Sequence, residues 1–190
     1  MHFNLILASA SPRRKELLSS IITDFTVVSA DVDETLLPLE GPGDAVKRLA
    51  ELKANNIARK HPNSWILAAD TLVECRGQIL GKPKDKTECR EMLELLSASE
   101  HKVYGGIALI RSDLGVSERL LQITSIRFSE IEDSNLANYI DTTEPYDKAG
   151  GYAVQGWAAR YVIEIHGSYT NIVGLDLALA YSLLRRHKVL

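Results

Sequence analysis

The chain has 190 residues, 45% of them hydrophobic and 25% charged, enough for a buried core that needs neither disulfides nor a structural metal. Its net charge of −3 excludes a general attraction to nucleic acid or anionic membrane, so an anion site has to be a local cluster. The two cysteines, Cys75 and Cys89, form neither a zinc spacing nor a CxxC pair and read as free thiols of a reducing compartment.

Residues 1–10 are apolar but lack a basic leading stretch, and no apolar run approaches the ~20 residues of a membrane span. A cytoplasmic location is the expectation. Residues 5–8 then read as a buried strand, and 12–20 as a helix with Leu17, Leu18 and Ile21 on its apolar side. A second strand follows at 25–29, and 31–43 is acidic and turn-rich. In it Gly41-Pro42-Gly43 reads as a turn. Residues 44–59 form a helix that Asp44 can cap. Residues 65–69 form a buried strand that ends at Asp70. Segments 72–75 and 78–80 flank Arg76-Gly77 as a hairpin. A helix at 86–96, strands at 103–111 and 120–128, and a short helix at 133–141 come next. After a glycine-rich loop at 144–156, a strand at 159–165 and a helix at 175–186 close the chain. Strands and helices alternate with hairpins interspersed, which predicts a mixed α/β fold.

Three constellations carry chemistry. Ser11 is a good N-cap and Pro12 suits the first helical position. Arg13, Arg14 and Lys15 then crowd the positive end of the helix dipole, each at a cost of about 0.3–1 kcal/mol. A phosphate bound to the helix start explains them; a solvated helix start with incidental basic residues explains the same letters. The second constellation is acidic. Asp70, after a buried strand and beside small residues, can hold a divalent metal or orient a water. Glu34 or Asp33 adds a second carboxylate, one only, because neighbours on an extended segment face opposite ways. The third is a set of lysines. Lys82 and Lys148 lie beside glycines that let backbone approach a ligand, and Lys53 sits mid-helix. Lys60, Lys84 and Lys86 read as solvated surface. Gln155 has an amide able to read a base edge, and reads equally well as a turn residue. The five histidines are dispersed and match no ligand spacing.

The run Leu7-Ala8-Ser9-Ala10-Ser11-Pro12-Arg13-Arg14-Lys15-Glu16-Leu17-Leu18 closely resembles the opening signature of the Maf family of nucleotide pyrophosphatases. The resemblance continues in order through Asp31-Val32-Asp33-Glu34, Lys53-Ala54, Ala68-Ala69-Asp70-Thr71, Leu80-Gly81-Lys82-Pro83, Glu144-Pro145-Tyr146-Asp147-Lys148-Ala149-Gly150 and Val154-Gln155-Gly156. Gly167-Ser168-Tyr169 and Val173-Gly174-Leu175 also fit, so the resemblance covers essentially the whole chain. It implies one Maf-like domain over residues 1–190, an elongated α/β fold of the Maf and inosine-triphosphatase type with a mixed sheet and a central cleft, and often a homodimer. It also implies hydrolysis of nucleoside triphosphates to the monophosphate and pyrophosphate. By the same resemblance a divalent cation takes part and Asp70 is the proton acceptor; Asp70 with Glu34 is the expected site for that Mg²⁺ or Mn²⁺. Ser9, Arg13, Arg14, Lys53, Lys82 and Lys148 are expected to bind substrate. Arg13, Thr71 and Gln155 match positions linked to base preference, in the pattern of the branch acting on dTTP and UTP. Neither nucleic acid nor membrane is an expected partner.

Two departures stand out. Asp176 replaces a usual proline at the start of the last helix. Gly105-Gly106 replaces a hydroxyl–glycine pair, which is expected to loosen a strand. A nucleotide-binding regulator of septum formation without turnover, and a pyrophosphatase for inosine-type triphosphates, are the competing readings.

Overall fold

The computed structural model describes residues 4–190; His2 lies outside them. Contacts divide the chain into two compact units. The first comprises the chain through Asp70 together with Gly105–Gln122 and Gly174–Leu190; the second comprises Thr71–Tyr104 and Ile123–Val173. The strands form one sheet in the order β2-β1-β3-β5-β6-β7, with β4 paired to β3.

In the first unit β1 (Leu5–Leu7) lies between two parallel neighbours, β2 (Thr26–Val27) and β3 (Trp65–Cys75). Its unbroken apolar letters follow from cover on both faces. Leu5, Leu7 and Leu67 pack with Leu18 of α1 (Pro12–Ser19) and with Leu183 and Leu184 of α6 (Leu177–Arg186). Ile6, Ile66 and Ala68 pack instead on Ala50, Ala54 and Ile57 of α2 (Pro42–Ala58). Alternate residues of one strand thus serve two helical layers.

Two boundaries correct the sequence reading. The Gly41-Pro42-Gly43 "turn" is the start of α2: Gly41 is the N-cap and Pro42 the first helical residue, where its fixed φ and missing N–H are harmless. Asp44 therefore lies in the first turn, near the dipole's positive end, rather than at the cap. Strand β3 does not end at Asp70 but continues to Cys75. It is β1 that stops early, at Leu7, paired with Leu67. Asp70 is thus beyond the carboxyl end of its neighbour, not of its own strand.

Gly106, on β5 (Glu100–Arg111), is where α2 rests on the sheet. A Cβ there would lie 2.2 Å from the Val46 carbonyl oxygen. This glycine admits a helix backbone to direct contact.

In the second unit β3 turns into β4 (Gln78–Leu80) with Val73 opposite Leu80. Arg76 and Gly77 both have positive φ, the backbone of a two-residue hairpin whose twist matches its strands. Helix α3 (Lys86–Leu96) is capped by Asp85, which accepts the Glu88 N–H at 2.9 Å. Strand β6 (Val116–Phe128) follows β5 through a turn at Ser112–Leu114, and α4 spans Asp133–Ile140. The glycine-rich region is no loose loop: it holds short 3₁₀ turns at Glu144–Asp147 and Ala149–Gly151. A further turn at Trp157–Tyr161 delays β7 (Val162–His166). The last expected helix is two, α5 (Tyr169–Val173) and α6. Asp176 is the N-cap of α6, accepting the Leu179 N–H at 2.8 Å, a task proline cannot perform. Both cysteines are free and buried. Burial pushes the Cys89 thiol up to about 11, away from thiolate reactivity. No helix among the described residues is long and apolar enough to cross a membrane.

Candidate active site

The first unit gathers six of the expected residues. Beyond β1, the buried Ser9 turns its Oγ to accept the Ser11 N–H at 3.1 Å. The Ser11 Oγ accepts the Arg14 N–H at 3.4 Å and caps α1. Two backbone N–H groups at this helix start are thus taken by serine hydroxyls.

Arg14 is tied down from its other end. Its Nε donates to the Gly174 carbonyl at 2.9 Å, and Gly174 has φ +134°, a conformation natural to glycine. Burial lowers the pKa of the guanidinium, while the nearby Asp70 and Glu34 carboxylates oppose that shift. A cation in the first turn of α1 is thus balanced by carboxylates of the protein itself. Arg13 is half-buried and Lys15 exposed.

Lys53 and Asp70 form the centre. Lys53 is 7% exposed and Asp70 5%, and the Lys53 Nζ lies 2.5 Å from Asp70 Oδ1 and 3.0 Å from Glu34 Oε1. A charge so deep is tolerable only when paired. Glu34 itself is exposed. Asp33 turns away to accept the Thr35 N–H at 2.9 Å, so one of the two acidic neighbours faces the lysine, as the extended-segment argument requires. Hydrogen bonding from the Thr35 side chain, and then from its backbone N–H, holds the Asp33 carboxyl below its ordinary range. The Asp31 backbone carbonyl accepts from Asn56 Nδ2 at 3.1 Å.

The remaining expected residues belong to the second unit. Lys82 and Gln155 are exposed. The loop of Lys82 is joined to that of Lys148 by the Gly150 N–H, which donates to the Gly81 carbonyl at 2.9 Å. The Lys148 Nζ donates to the Glu144 carbonyl and to Asp147 Oδ1, both at 2.5 Å. Thr71 is half-buried and, as Asp70's successor on β3, projects from the opposite face of the strand. Glu144, which heads the Glu144–Gly150 motif but was given no role of its own, accepts at Oε1 from the Tyr139 hydroxyl at 3.1 Å and the Trp157 N–H at 3.2 Å. Gly156 leaves room for it: a Cβ there would sit 2.4 Å from that oxygen. Lys60, Lys84 and Lys86 are exposed as expected.

The sequence matches the Maf-like protein family over residues 4–187. The chain belongs to the Maf family. It is 45% identical over 183 residues to the dTTP/UTP pyrophosphatase of Halalkalibacterium halodurans, covering 96% of this chain and 95% of that one. It is 48% identical over 184 residues to the dTTP/UTP pyrophosphatase of Geotalea uraniireducens, covering 96% and 94%. Among solved structures it is similar to the Staphylococcus aureus Ham1 protein, with a TM-score of 0.53 at 14% identity over 97% of this chain and 99% of that one. At that identity the likeness concerns fold alone, and it agrees with the expected α/β class.

For this Maf-family chain a divalent cation has limited protein ligands. Among the described residues, no group of three His, Cys, Asp or Glu side chains comes together to hold a metal. Two carboxylates, Glu34 and Asp70, do converge on one ammonium. That pair fits Mg²⁺, which takes one or two protein carboxylates and fills its shell with water and substrate phosphates.

Proposed function

We propose that this protein hydrolyses nucleoside triphosphates, dTTP and UTP foremost, to the monophosphate and pyrophosphate. The observation that carries the reading is the buried Lys53–Asp70 pair at 2.5 Å, shared with Glu34 and close enough to Arg14 for mutual electrostatic influence. Such a site presents cations to a polyphosphate and keeps an ionised carboxylate beside them. The names of the relatives supply the substrate class.

Arg13, Arg14 and Lys53 bind the triphosphate by charge, with Ser9 shaping the turn at the start of α1. Asp70 accepts a proton from the water that attacks the α-phosphorus. The bond from that phosphorus to the bridging oxygen breaks, and the oxygen leaves on pyrophosphate. Glu34 and Asp70 would hold Mg²⁺ or Mn²⁺, which supplies neutralisation of phosphate charge. In phosphoryl transfer, positioning and charge stabilisation account for most of the rate. Lys82 and Lys148 are further substrate-binding residues on the strength of their glycine-flanked loops. Thr71, Gln155 and Arg13 are the proposed readers of the base, suited to a pyrimidine that offers both donor and acceptor edges.

The test is pyrophosphate release from a panel of dTTP, UTP, CTP, ITP and GTP, with and without Mg²⁺. Release fastest from dTTP and UTP is expected. Nucleotide binding without release favours a regulator, and preference for ITP favours a purine-directed enzyme; either result overturns the proposal.

A further inference from the structure

The segment between β2 and α2 brings Glu34 to Lys53, yet the Glu34 side chain is 53% exposed. Burial does not hold it there. The fixing comes from its neighbours. Arg48 of α2 grips both oxygens of Glu40, with Nε to Oε1 and Nη2 to Oε2 each at 2.7 Å. Its Nη2 also donates to the Thr35 carbonyl at 3.1 Å. The second oxygen of Glu40 accepts the Leu37 N–H at 3.2 Å, and Asp33 accepts from Thr35 as described. On the other side Asn56, also of α2, holds the Asp31 carbonyl. Residues 31 and 35, which bracket Glu34, are thus anchored to the helix that carries Lys53.

The Arg48–Glu40 fork differs from an ordinary surface ion pair. The Glu40 side chain is 10% exposed and that of Arg48 28%. A bidentate guanidinium–carboxylate pair fixes direction as well as distance. The hydrogen bonds from Arg48 hold the Glu40 carboxyl below its ordinary range, and Glu40 in turn raises Arg48. Among the described residues neither hydrogen-bonds to Lys53 or Asp70; Arg48 influences Asp70 only through longer-range electrostatics, which Arg48→Lys preserves, so the fork acts through the loop. We infer that Arg48 and Glu40 are positioning residues that pin the 31–40 loop to α2 and thereby hold Glu34 on Lys53. The activity readout of this inference rests on the proposed hydrolysis; its structural readout does not.

The experiment compares wild type with Glu40→Gln, Arg48→Lys, Glu34→Gln and the double variant Glu34→Gln/Glu40→Gln. Glu40→Gln is expected to lower kcat/KM for dTTP by about tenfold and to speed amide exchange at residues 33–37 while leaving exchange in β1 and β3 unchanged. In the Glu34→Gln background the same change adds little, because the residue it positions is already gone. Arg48→Lys keeps the charge but loses the fork, and moves both readouts in the same direction. It serves the comparison if Glu40→Gln does not fold. Multiplying losses in the double variant, or unchanged exchange at 33–37, overturn the inference. If the wild type releases no pyrophosphate, the functional reading falls, and amide exchange alone decides whether the loop is pinned.

Discussion

The two units bury different kinds of polarity. Among the described residues the buried charged side chains are Lys53, Asp70 and Asp176, all in the first unit. The buried polar side chains of the second are Ser99, His101, Thr124 and Asn171, and their hydrogen bonds run to neutral groups, Ser99 donating to the Leu95 and Leu96 carbonyls. The Asn171 Nδ2 donates to the Val103 carbonyl and to Thr124 Oγ1, both at 3.1 Å. The His101 Nε2 meets the Tyr152 hydroxyl at 2.8 Å, with Phe128 edge-on. A neutral network sustains a fold and has little to offer a polyanion. A buried ion pair is a poor device for stability, so its presence points to chemistry. The second unit's candidate substrate-binding cations, Lys82 and Lys148, stand on loops instead, one exposed and the other tied to its own turn.

The sharpest way to break this contrast is to leave the carboxylate without its lysine. Lys53→Met should destabilise the protein by about 3 kcal/mol, since Asp70 stays buried without its nearest cation; urea unfolding at pH 7 measures it. Asp70→Asn should fold and yet lose on the order of 10² or more in kcat, read as pyrophosphate release from dTTP. A folded variant with normal turnover would remove Asp70 from the chemistry.

The neutral side of the contrast is tested by acid. Burial pushes His101 from its ordinary 6.5 down to about 3, so the folded protein keeps it uncharged. Below about pH 6.5 the unfolded chain binds a proton that the folded one refuses. Stability is therefore fully present above 6.5 and is lost as pH falls toward 3, by about 2 kcal/mol at pH 5. Urea midpoints at pH 7 and pH 5 should show the loss, and His101→Gln should reduce it. The smallest effect is expected at the exposed Gln155: the alanine variant should change the ratio of rates on dTTP, UTP and CTP by a few-fold. Equal losses on all three would assign Gln155 no reading role.

Much of the site was legible because its letters are local. The serine cap and the arginines of α1 sit in one run of sequence, and alternation correctly allowed only one of Asp33 and Glu34 to face the centre. Asp70 was singled out by an incorrect geometric argument: an apolar strand followed by aspartate looks like a strand end, but β3 continues while its neighbour β1 stops. The Glu40–Arg48 fork left no local sign, because its partners are eight positions apart across a helix start whose Gly-Pro-Gly spelling imitates a turn. Gly174 was matched to the family by position, but its hold on Arg14 joins residues 160 positions apart, a distance no periodicity spans. The 3₁₀ turns of 144–161 are shaped by contacts such as the parallel stacking of Tyr139 and Trp157, with ring centroids 4.0 Å apart.

Gly106 has a consequence for anyone altering this protein. Replacing glycine with alanine is a common route to greater heat resistance, because it narrows the freedom of the unfolded chain. Here the added methyl would collide with the main chain of α2, seven residues before Lys53. In a library of all single substitutions scored for survival, position 106 should retain only its original residue, although glycine brings no side chain to bind or react.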